Sequence, residues 1–304
     1  MDESHVKTNS LKAWVLAARP KTLTGAAVPV MIGAALAMAD GDGQIAWLPC
    51  MLCFLFAFIM QIDANFVNDY FDYKQGNDDV ETRLGPLRAC SMGWVTPEAM
   101  RWALVLTTAL GCAVGLPLAW IGGWKMIVVG ALCVLFCFLY TLRLSYLGLG
   151  DVLVLVFFGI VPVCLTYYLS LPGETKTVTW EVFTASLACG FVIDTLLLVN
   201  NYRDIDNDRR DGKTTLVVKV GATTGRRLYL ATGWAAVALG LVFVFHGHLL
   251  AFVLPACIYT VLHFRAYRHM VRIDKGRELN KVLGETARNM FVYGVLVAVG
   301  LLLW

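Results

Sequence analysis

Charged residues are scarce in this chain of 304 residues. They make up 15% of it, against 58% hydrophobic residues, and the mean hydropathy is +0.66. An average soluble domain carries about a quarter charged residues, so the composition excludes an ordinary water-soluble protein. The net charge of +3 gives no indication of nucleic acid as a partner, and none is expected.

Cysteine and histidine provide no disulfide or zinc framework. The nine cysteines are an odd number, and no histidine lies near the close pairs Cys50/Cys53 and Cys133/Cys137. A metal or redox site would be the functional interpretation of these pairs. We favour the simpler one, in which they are small buried hydrophobic residues. A low-complexity linker and a separate polar domain are also absent from the sequence, so we expect one membrane domain over residues 1–304.

Long apolar runs dominate the rest of the chain. A membrane span needs about 20 mostly apolar residues. Nine stretches qualify, although the turn at 245–249 leaves eight or ten spans open as alternatives. We therefore predict an all-α polytopic membrane protein with about nine transmembrane helices, at roughly 22–39, 45–68, 100–120, 124–142, 149–170, 179–201, 228–245, 249–264 and 286–304.

Lysine and arginine are distributed unevenly over these spans. Lys125 and Lys176 fall on one side of the membrane, and the others of the 25 fall on the opposite side or at its helix ends. Cytoplasmic loops carry the excess of these residues. We therefore expect an integral protein of the bacterial cytoplasmic membrane, with its N-terminus in the cytoplasm together with three polar segments that form helical caps, at about 69–98, 202–227 and 265–285.

Two clusters of Asn and Asp stand at the ends of the second and sixth spans. Residues four apart share one face of a helix, so Asn68 and Asp72 form one row of oxygen ligands, and Asn200, Asp204 and Asp208 form another. Carboxylates so close together need a positive partner, and Mg²⁺ prefers such ligands together with phosphate oxygens. The two rows predict a clamp for a diphosphate. Helix caps and loop salt bridges are the alternative, which we disfavour because the pattern occurs twice.

Basic residues surround both rows. Arginine and lysine can hold phosphate oxygens directly. A solvated positive face is the alternative, and we favour it for Arg209, Arg210 and Lys219. The candidates for substrate binding are Lys74, Arg83, Arg88, Arg143, Arg203 and Lys213.

These motifs resemble the UbiA superfamily of intramembrane aromatic prenyltransferases, which carry Asn-x-x-x-Asp on helix two and Asp-x-x-x-Asp on helix six. The resemblance covers almost the whole chain. Several stretches are most similar to the branch that prenylates 1,4-dihydroxy-2-naphthoate in menaquinone synthesis: Asn68 to Lys74, Arg83 to Arg88, Tyr146 to Asp151, Phe157 to Gly159, Asn200 to Asp204 and Gly212 to Leu216.

The resemblance implies a central cavity and a set of functional residues. It gives Asn68, Asp72, Asp204 and Asp208 a role in binding Mg²⁺ and diphosphate. The 4-hydroxybenzoate branch usually has a further Asp where Gly76 stands here, which leaves Asp78 as the additional acid.

Two further assignments follow from the resemblance, each with an alternative. An aromatic face near the cytoplasmic helix ends would stabilise an allylic cation, and the candidates are Tyr70, Tyr140, Tyr146 and Tyr202. Tyr140 is preferred because it resembles a family position near the fourth helix end. The alternative for each of the four is a place in the interfacial aromatic belt. Arg19 and Lys21 would help to hold substrate, or they form a positive flank before the first span.

The expected reaction joins a polyprenyl diphosphate to an aromatic acceptor, dihydroxynaphthoate, with loss of diphosphate and CO₂. Mg²⁺ and cationic side chains would neutralise the leaving group, and the lipid bilayer would hold the prenyl tail. Another acceptor such as 4-hydroxybenzoate is the alternative. More distant alternatives are a transporter, a CDP-alcohol phosphotransferase and a membrane scaffold. A transporter would place its acids nearer the bilayer midplane.

Overall fold

The computed structural model describes residues 6–76, 83–173 and 176–303, which contain no β-strand. Nine helical segments in these ranges are long and apolar enough to cross a membrane, so the predicted fold class is confirmed. We number them α1 to α9 in chain order: Leu11–Asp40, Trp47–Gln75, Pro97–Gly122, Lys125–Leu144, Gly150–Ser170, Trp180–Arg203, Ala222–Phe245, Leu249–Ile273 and Leu279–Leu302.

Helix α6 is the central element of the bundle, and α4 lies at its outside. In the most apolar 18-residue window of each helix, 72% of the residues of α6 are buried, against 6% for α4. The largest apolar core joins residues of α1, α5, α6 and α9, among them Val28, Tyr167, Val192 and Tyr293. The exposed apolar side chains of α4, such as Ile127 and Leu135, are those expected of a surface in contact with lipid.

Helix α2 is longer than the apolar run predicts, because it continues through polar residues to Gln75 instead of ending near residue 68. Its end is set by Gly76, whose φ of 72° is the left-handed conformation that terminates many helices. The N–H of Gly76 donates to the carbonyl oxygens of Asp72 and Tyr73. Asn68 and Asp72 therefore lie in the last two turns of a regular helix.

Helix α6, by contrast, ends earlier than a continuous row of acids would require. It stops at Arg203, and a separate short helix, Ile205–Arg210, follows. Asp204 lies at the junction with φ −95° and ψ 8°. The N–H of Asp208 still donates to the carbonyl oxygen of Asp204 (2.7 Å), so one helical turn separates the two residues. The second predicted row thus spans a break.

Helix α1 is interrupted at Arg19, which adopts a positive φ of 52° between Leu11–Ala18 and the 3₁₀ turn Pro20–Thr22. The side chain of Asn65 in α2 holds this break. Its Nδ2 donates to the carbonyl oxygen of Ala18 and to Oγ1 of Thr22, both at 2.9 Å. The break brings Arg19 to the polar end of the bundle.

The loops that follow α2, α4, α6 and α8 meet at this polar end. The N–H of Thr214 donates to the carbonyl oxygen of Tyr146 (3.0 Å), and Arg277 donates to that of Arg83 (2.9 Å). Helix α4 ends here in a wide π-helical turn, Tyr140–Leu144. The opposite end of the bundle carries the short connections between α1 and α2, α5 and α6, and α7 and α8.

Asp69 fixes the loop after α2. It is 1% exposed, and its two carboxylate oxygens accept hydrogen bonds from the N–H groups of Ala89 and Cys90, each at 2.8 Å. Hydrogen bonds to a buried carboxylate are among the stronger ones in proteins. This interaction positions the neighbouring Arg88.

We predict that Asp69→Asn destabilises the protein by about 1–3 kcal/mol, because one buried N–H would face an amide group that cannot accept from it. The midpoint of thermal unfolding in detergent should fall by several degrees. Asp42→Asn is the matched control, since Asp42 is exposed and has a positive φ that Asn tolerates well. Equal midpoints for the two variants would contradict the assigned role of Asp69.

Candidate active site

A cavity of about 240 Å³ opens at the polar end of the bundle, between the ends of α2, α4, α5 and α6. Asn68 and Asp72 line it from α2, and Asp204 and Asp208 line it from the end of α6 and the short helix beyond. The two acidic rows, separated by more than 100 residues in the sequence, therefore open onto the same space.

The cavity is also lined by most of the other residues that were predicted from the sequence to be functional. These are Arg19, Arg83, Arg88, Tyr140, Asn200, Arg203 and Lys213. Cations and carboxylates therefore line one space. Such a lining suits a ligand that is strongly anionic and bound together with metal ions.

Three described residues that were predicted to bind substrate are not among those that line the cavity. Lys21, Lys74 and Arg143 have exposed side chains. The ammonium group of Lys74 lies 5.1 Å from the centre of the Tyr70 ring. Arg143 follows Tyr140 by three residues within the π-helical turn, whose wider spacing takes it off the face of Tyr140. Asp78 lies outside the described residues.

Arg88 and Asp72 form an ion pair inside the cavity wall. Nη2 of Arg88 donates to Oδ2 of Asp72 at 2.8 Å, and the two residues are only 8% and 7% exposed. Removing one partner of a buried pair leaves an uncompensated charge and typically costs about 3–5 kcal/mol. The pair holds the loop after α2 against the helix that carries the first acidic row.

Arg203 connects the second row with the start of α9. Its guanidinium group donates to both carboxylate oxygens of Asp204 (2.9 and 2.5 Å), to Oδ1 of Asn200 (2.8 Å) and to Oδ1 of Asn280 (2.7 Å). A planar fork with several donors can satisfy all these acceptors at once, which a lysine cannot do. Asn280 was missed in the sequence because its partners are far away along the chain.

The loop of residues 83–88 covers this network. Nδ2 of Asn280 donates to the carbonyl oxygen of Leu84 at 2.8 Å. A Cβ atom on Gly85 would lie 2.8 Å from Nη2 of Arg203, closer than real contacts allow. A glycine at this position therefore lets the loop backbone approach the guanidinium group.

The protonation of Asp208 depends on its surroundings in the cavity wall. Burial raises the pKa of Asp208 to about 7, and the repulsion from Asp204 and Asp211 acts in the same direction, while Lys213 opposes it. Near neutral pH the carboxyl group is therefore protonated in a large fraction of molecules. A bound cation would favour the charged form and reverse this effect.

The carboxylates of the cavity do not converge on one point. Within the described ranges, no three ligand atoms from its Asp residues lie within 4.8 Å of one another. Asp72 instead lies on the wall formed by α2, whereas Asp204, Asp208 and Asp211 lie on the wall beyond the end of α6. This arrangement suits Mg²⁺, which is usually held by one or two carboxylates and completed by substrate phosphates and water.

Several lining residues were not assigned a role from the sequence, notably Thr141, Asp151, Asn201 and Asp211. Oγ1 of Thr141 donates to Oδ1 of Asn68, which orients that amide. Asp151 had a detectable signal, because it is the single acid between Glu98 and Glu174 and begins an apolar helix.

Asp151 and Asp194 form a deeper acidic pair. Each has a buried carboxylate oxygen, Oδ1, without a hydrogen-bond partner among the described residues. Asp194 interacts electrostatically with Asp151, and both interact with Tyr140. Asp63 differs, because it accepts hydrogen bonds from Thr107 and Thr108 within the core. The carboxyl groups of this deeper pair therefore lie near Tyr140.

The chain is similar to known proteins along almost its whole length. The model of the UbiA prenyltransferase family matches residues 26–299. Among curated proteins, 1,4-dihydroxy-2-naphthoate octaprenyltransferase from Mycobacterium tuberculosis (strain ATCC 25618 / H37Rv) is 35% identical over 302 residues, which cover 95% of this chain and 96% of the relative.

Two solved structures share the fold. A UbiA homologue from Aeropyrum pernix K1 in its apo form has a TM-score of 0.69 at 15% identity, and the match covers 92% of this chain and 97% of that one. A UbiA homologue from Archaeoglobus fulgidus bound to GPP and Mg²⁺ has a TM-score of 0.58 at 15% identity, over 94% and 99% of the two chains. At this identity the likeness shows the fold.

We predict that Arg203→Lys keeps the charge but disrupts the site, because lysine cannot bridge Asp204, Asn200 and Asn280 together. Stability should fall by about 2–4 kcal/mol in unfolding measurements, given the buried acceptors left unpaired. Arg209→Lys serves as control, since Arg209 is exposed and forms only a loose pair with Asp206 at 3.6 Å. An equal effect of both substitutions would show that the fork of Arg203 is unimportant.

Proposed function

Since this chain belongs to the UbiA prenyltransferase family, we propose that it transfers a polyprenyl chain from a polyprenyl diphosphate to 1,4-dihydroxy-2-naphthoate. Diphosphate and CO₂ are released, and the product has the demethylmenaquinone skeleton. The observation that carries the proposal is that both acidic rows line the same cavity. The acceptor is supported by the mycobacterial relative of that activity, which matches along almost its whole length.

Mg²⁺ is the metal that the donor set fits best. Asn68, Asp72, Asp204 and Asp208 supply hard oxygen ligands from opposite walls, with space between them for phosphate oxygens. We also propose Asp78 as a further ligand. When bound, Mg²⁺ neutralises the negative charge that develops on the departing diphosphate.

The basic residues of the cavity hold the same leaving group. The cavity is lined by Arg83, Arg88 and Lys213. Their N–H groups can donate charge-assisted hydrogen bonds to phosphate oxygens. The pair between Arg88 and Asp72 neutralises both groups in the meantime, and a diphosphate with metal ions offers each a new partner. Binding is therefore an exchange of ion pairs and leaves no charge buried alone.

Bond cleavage and bond formation follow in a defined order. The allylic C–O bond breaks, and both of its electrons leave with the diphosphate. Tyr140, at the cavity wall, presents an aromatic face that can stabilise the allylic cation without capturing it. An electron-rich carbon of the naphthoate then supplies the electron pair for the new C–C bond. The ring recovers its electrons when the carboxylate leaves as CO₂.

The membrane holds the apolar partner. Each buried CH₂ of the prenyl tail contributes about 0.8 kcal/mol, so a long donor partitions into lipid. We propose that the polar end of the bundle faces the cytoplasm of a bacterium, because almost all lysines and arginines lie at that end. Phosphorylated substrate would then reach the cavity from the water side, with its tail between helices.

We predict that Asp72→Asn and Asp208→Asn each lower prenyl transfer by about 10²-fold or more, because each removes a charged ligand that acts on the leaving group. Turnover by purified enzyme in detergent is the measurement, with and without chelator. Asp206→Asn is the matched control: it lies in the same short helix as Asp208 but is 67% exposed. Retained turnover in the first two variants with Mg²⁺ chelated would contradict the mechanism.

The acceptor is tested by offering dihydroxynaphthoate and 4-hydroxybenzoate separately to the purified enzyme, with farnesyl to octaprenyl donors. We expect product from the naphthoate alone. Carboxyl-labelled naphthoate should release one labelled CO₂ for each prenylated product, since carboxylate loss restores the aromatic ring. Prenylated 4-hydroxybenzoate as the main product would assign the chain to the alternative acceptor and leave the role of the two acidic rows intact.

A further inference from the structure

A second polar cluster lies at the end of the bundle opposite the catalytic cavity. It consists of Asp40 at the end of α1, Glu181 at the start of α6 and His248 in the turn between α7 and α8. Glu181 and Asn200 are separated by 19 residues of one helix, so about 28 Å divides this cluster from the cavity. The prenyl transfer mechanism makes no use of it.

The three side chains offer ligand atoms to a common point. One carboxylate oxygen of Asp40, one of Glu181 and one ring nitrogen of His248 all lie within 4.8 Å of one another. Tyr167 donates its hydroxyl hydrogen to Oδ2 of Asp40 at 2.6 Å. Metal ligands commonly have such a supporting hydrogen bond.

Glu181 is the independent reason to expect a ligand here. It is 3% exposed, and its Oε1 has no hydrogen-bond partner among the described residues. Its other oxygen, Oε2, lies 3.2 Å from Nδ1 of His246. A buried carboxylate oxygen without a partner is costly, and native proteins nearly always satisfy such groups. Glu181 is itself one of the three residues of the cluster.

The charges around the cluster are not balanced by lysine or arginine. In the parts of the chain that the structure describes, neither Asp40 nor Glu181 forms an ion pair with such a residue. Lys176, in the nearby loop before α6, donates instead to the carbonyl oxygen of Leu169 at 3.2 Å. Two carboxylates in one place need a cation, and an imidazole beside them selects the type of cation.

We infer that Asp40, Glu181 and His248 bind a divalent transition-metal ion of the Zn²⁺ type, distinct from the Mg²⁺ of the catalytic cavity. Zn²⁺ accepts imidazole nitrogen and carboxylate oxygen together, whereas Mg²⁺ prefers oxygen ligands alone. His246, at the edge of the cluster, is the available fourth ligand if it turns away from Glu181. The ion would tie α1 and α6 to the turn between α7 and α8.

Metal loading requires a small contraction of the cluster. Zn²⁺ holds its nitrogen and oxygen ligands at about 2.0–2.2 Å, so ligand atoms stand closer together than 4.8 Å in a loaded site. Asp40 is exposed and ends its helix, so it has the freedom to move inward. Glu181 and His248 are mostly buried and supply the fixed part of the site.

The test uses the full chain without an affinity tag, purified in detergent and stripped with a chelator. Co²⁺, a spectroscopic substitute for Zn²⁺, is titrated in the presence of excess Mg²⁺, which competes for the all-oxygen sites. We expect one equivalent of Co²⁺ to bind per chain, with a visible absorption spectrum typical of Co²⁺ at a low coordination number. Zn²⁺ should displace the bound Co²⁺. Loading should also raise the midpoint of thermal unfolding.

Variants locate the bound ion. Removing a ligand should weaken Co²⁺ binding at least about tenfold, so we expect this for Asp40→Asn, Glu181→Gln and His248→Asn. Three matched controls remove the same chemical groups elsewhere and should bind as the unchanged chain does: Asp42→Asn in the loop after Asp40, and Glu285→Gln and His269→Asn from the pair at the other end, whose atoms lie 2.9 Å apart.

The outcome does not depend on prenyl transfer, because Asp208→Asn should lose activity and still bind one equivalent of Co²⁺. If Glu181→Gln proves unstable, exposed Asp40→Asn decides the question. Absence of stoichiometric binding would overturn the inference. Co²⁺ binding that is unchanged in all three ligand variants would also overturn it. The same holds for binding that is lost in Asp208→Asn or in His269→Asn.

Discussion

Burial of opposite charges in one apolar bundle is the constraint on which this structure depends. Two arginines, Arg88 and Arg203, are almost fully buried, and each meets a carboxylate from an acidic row. Neither the acids nor the bases could lie there alone, because a single buried charge is far more costly than a hydrogen-bonded pair. The loop after α2, the end of α6 and the start of α9 are held together by these contacts.

The same pairs explain how a strongly charged cavity can exist before any ligand enters. In the proposed function, the carboxylates that would hold metal ions are paired beforehand with guanidinium groups that would hold phosphate. A metal diphosphate carries both signs of charge, so it can replace both halves of each pair without leaving either unsatisfied. Burial raises the pKa of Asp208, and a bound cation would favour its charged form.

Local patterns predicted the spans and the two rows, since hydropathy and four-residue spacing act within one helix. The predicted end of α2 was too early because hydropathy treats polar residues as the end of a span. The polar last turns of α2 face a cavity, so the helix continues there. The break at Asp204 and the partners of Arg203 depend on Asn280 and the loop of residues 83–88, and no local pattern contains them. Asp40, Glu181 and His248 were missed for the same reason.

Helices α1 and α6 carry polar groups at both of their ends, and this links the two ends of the molecule. Arg19 and Arg203 line the cavity at the polar end, while Asp40 and Glu181 belong to the opposite cluster. These helices share the largest apolar core, so their relative position is set mainly by close packing along their length. A metal ion bound by Asp40 and Glu181 would keep α1 and α6 from separating at that end. The same packing would then resist changes in the distance between Arg19 and the second acidic row.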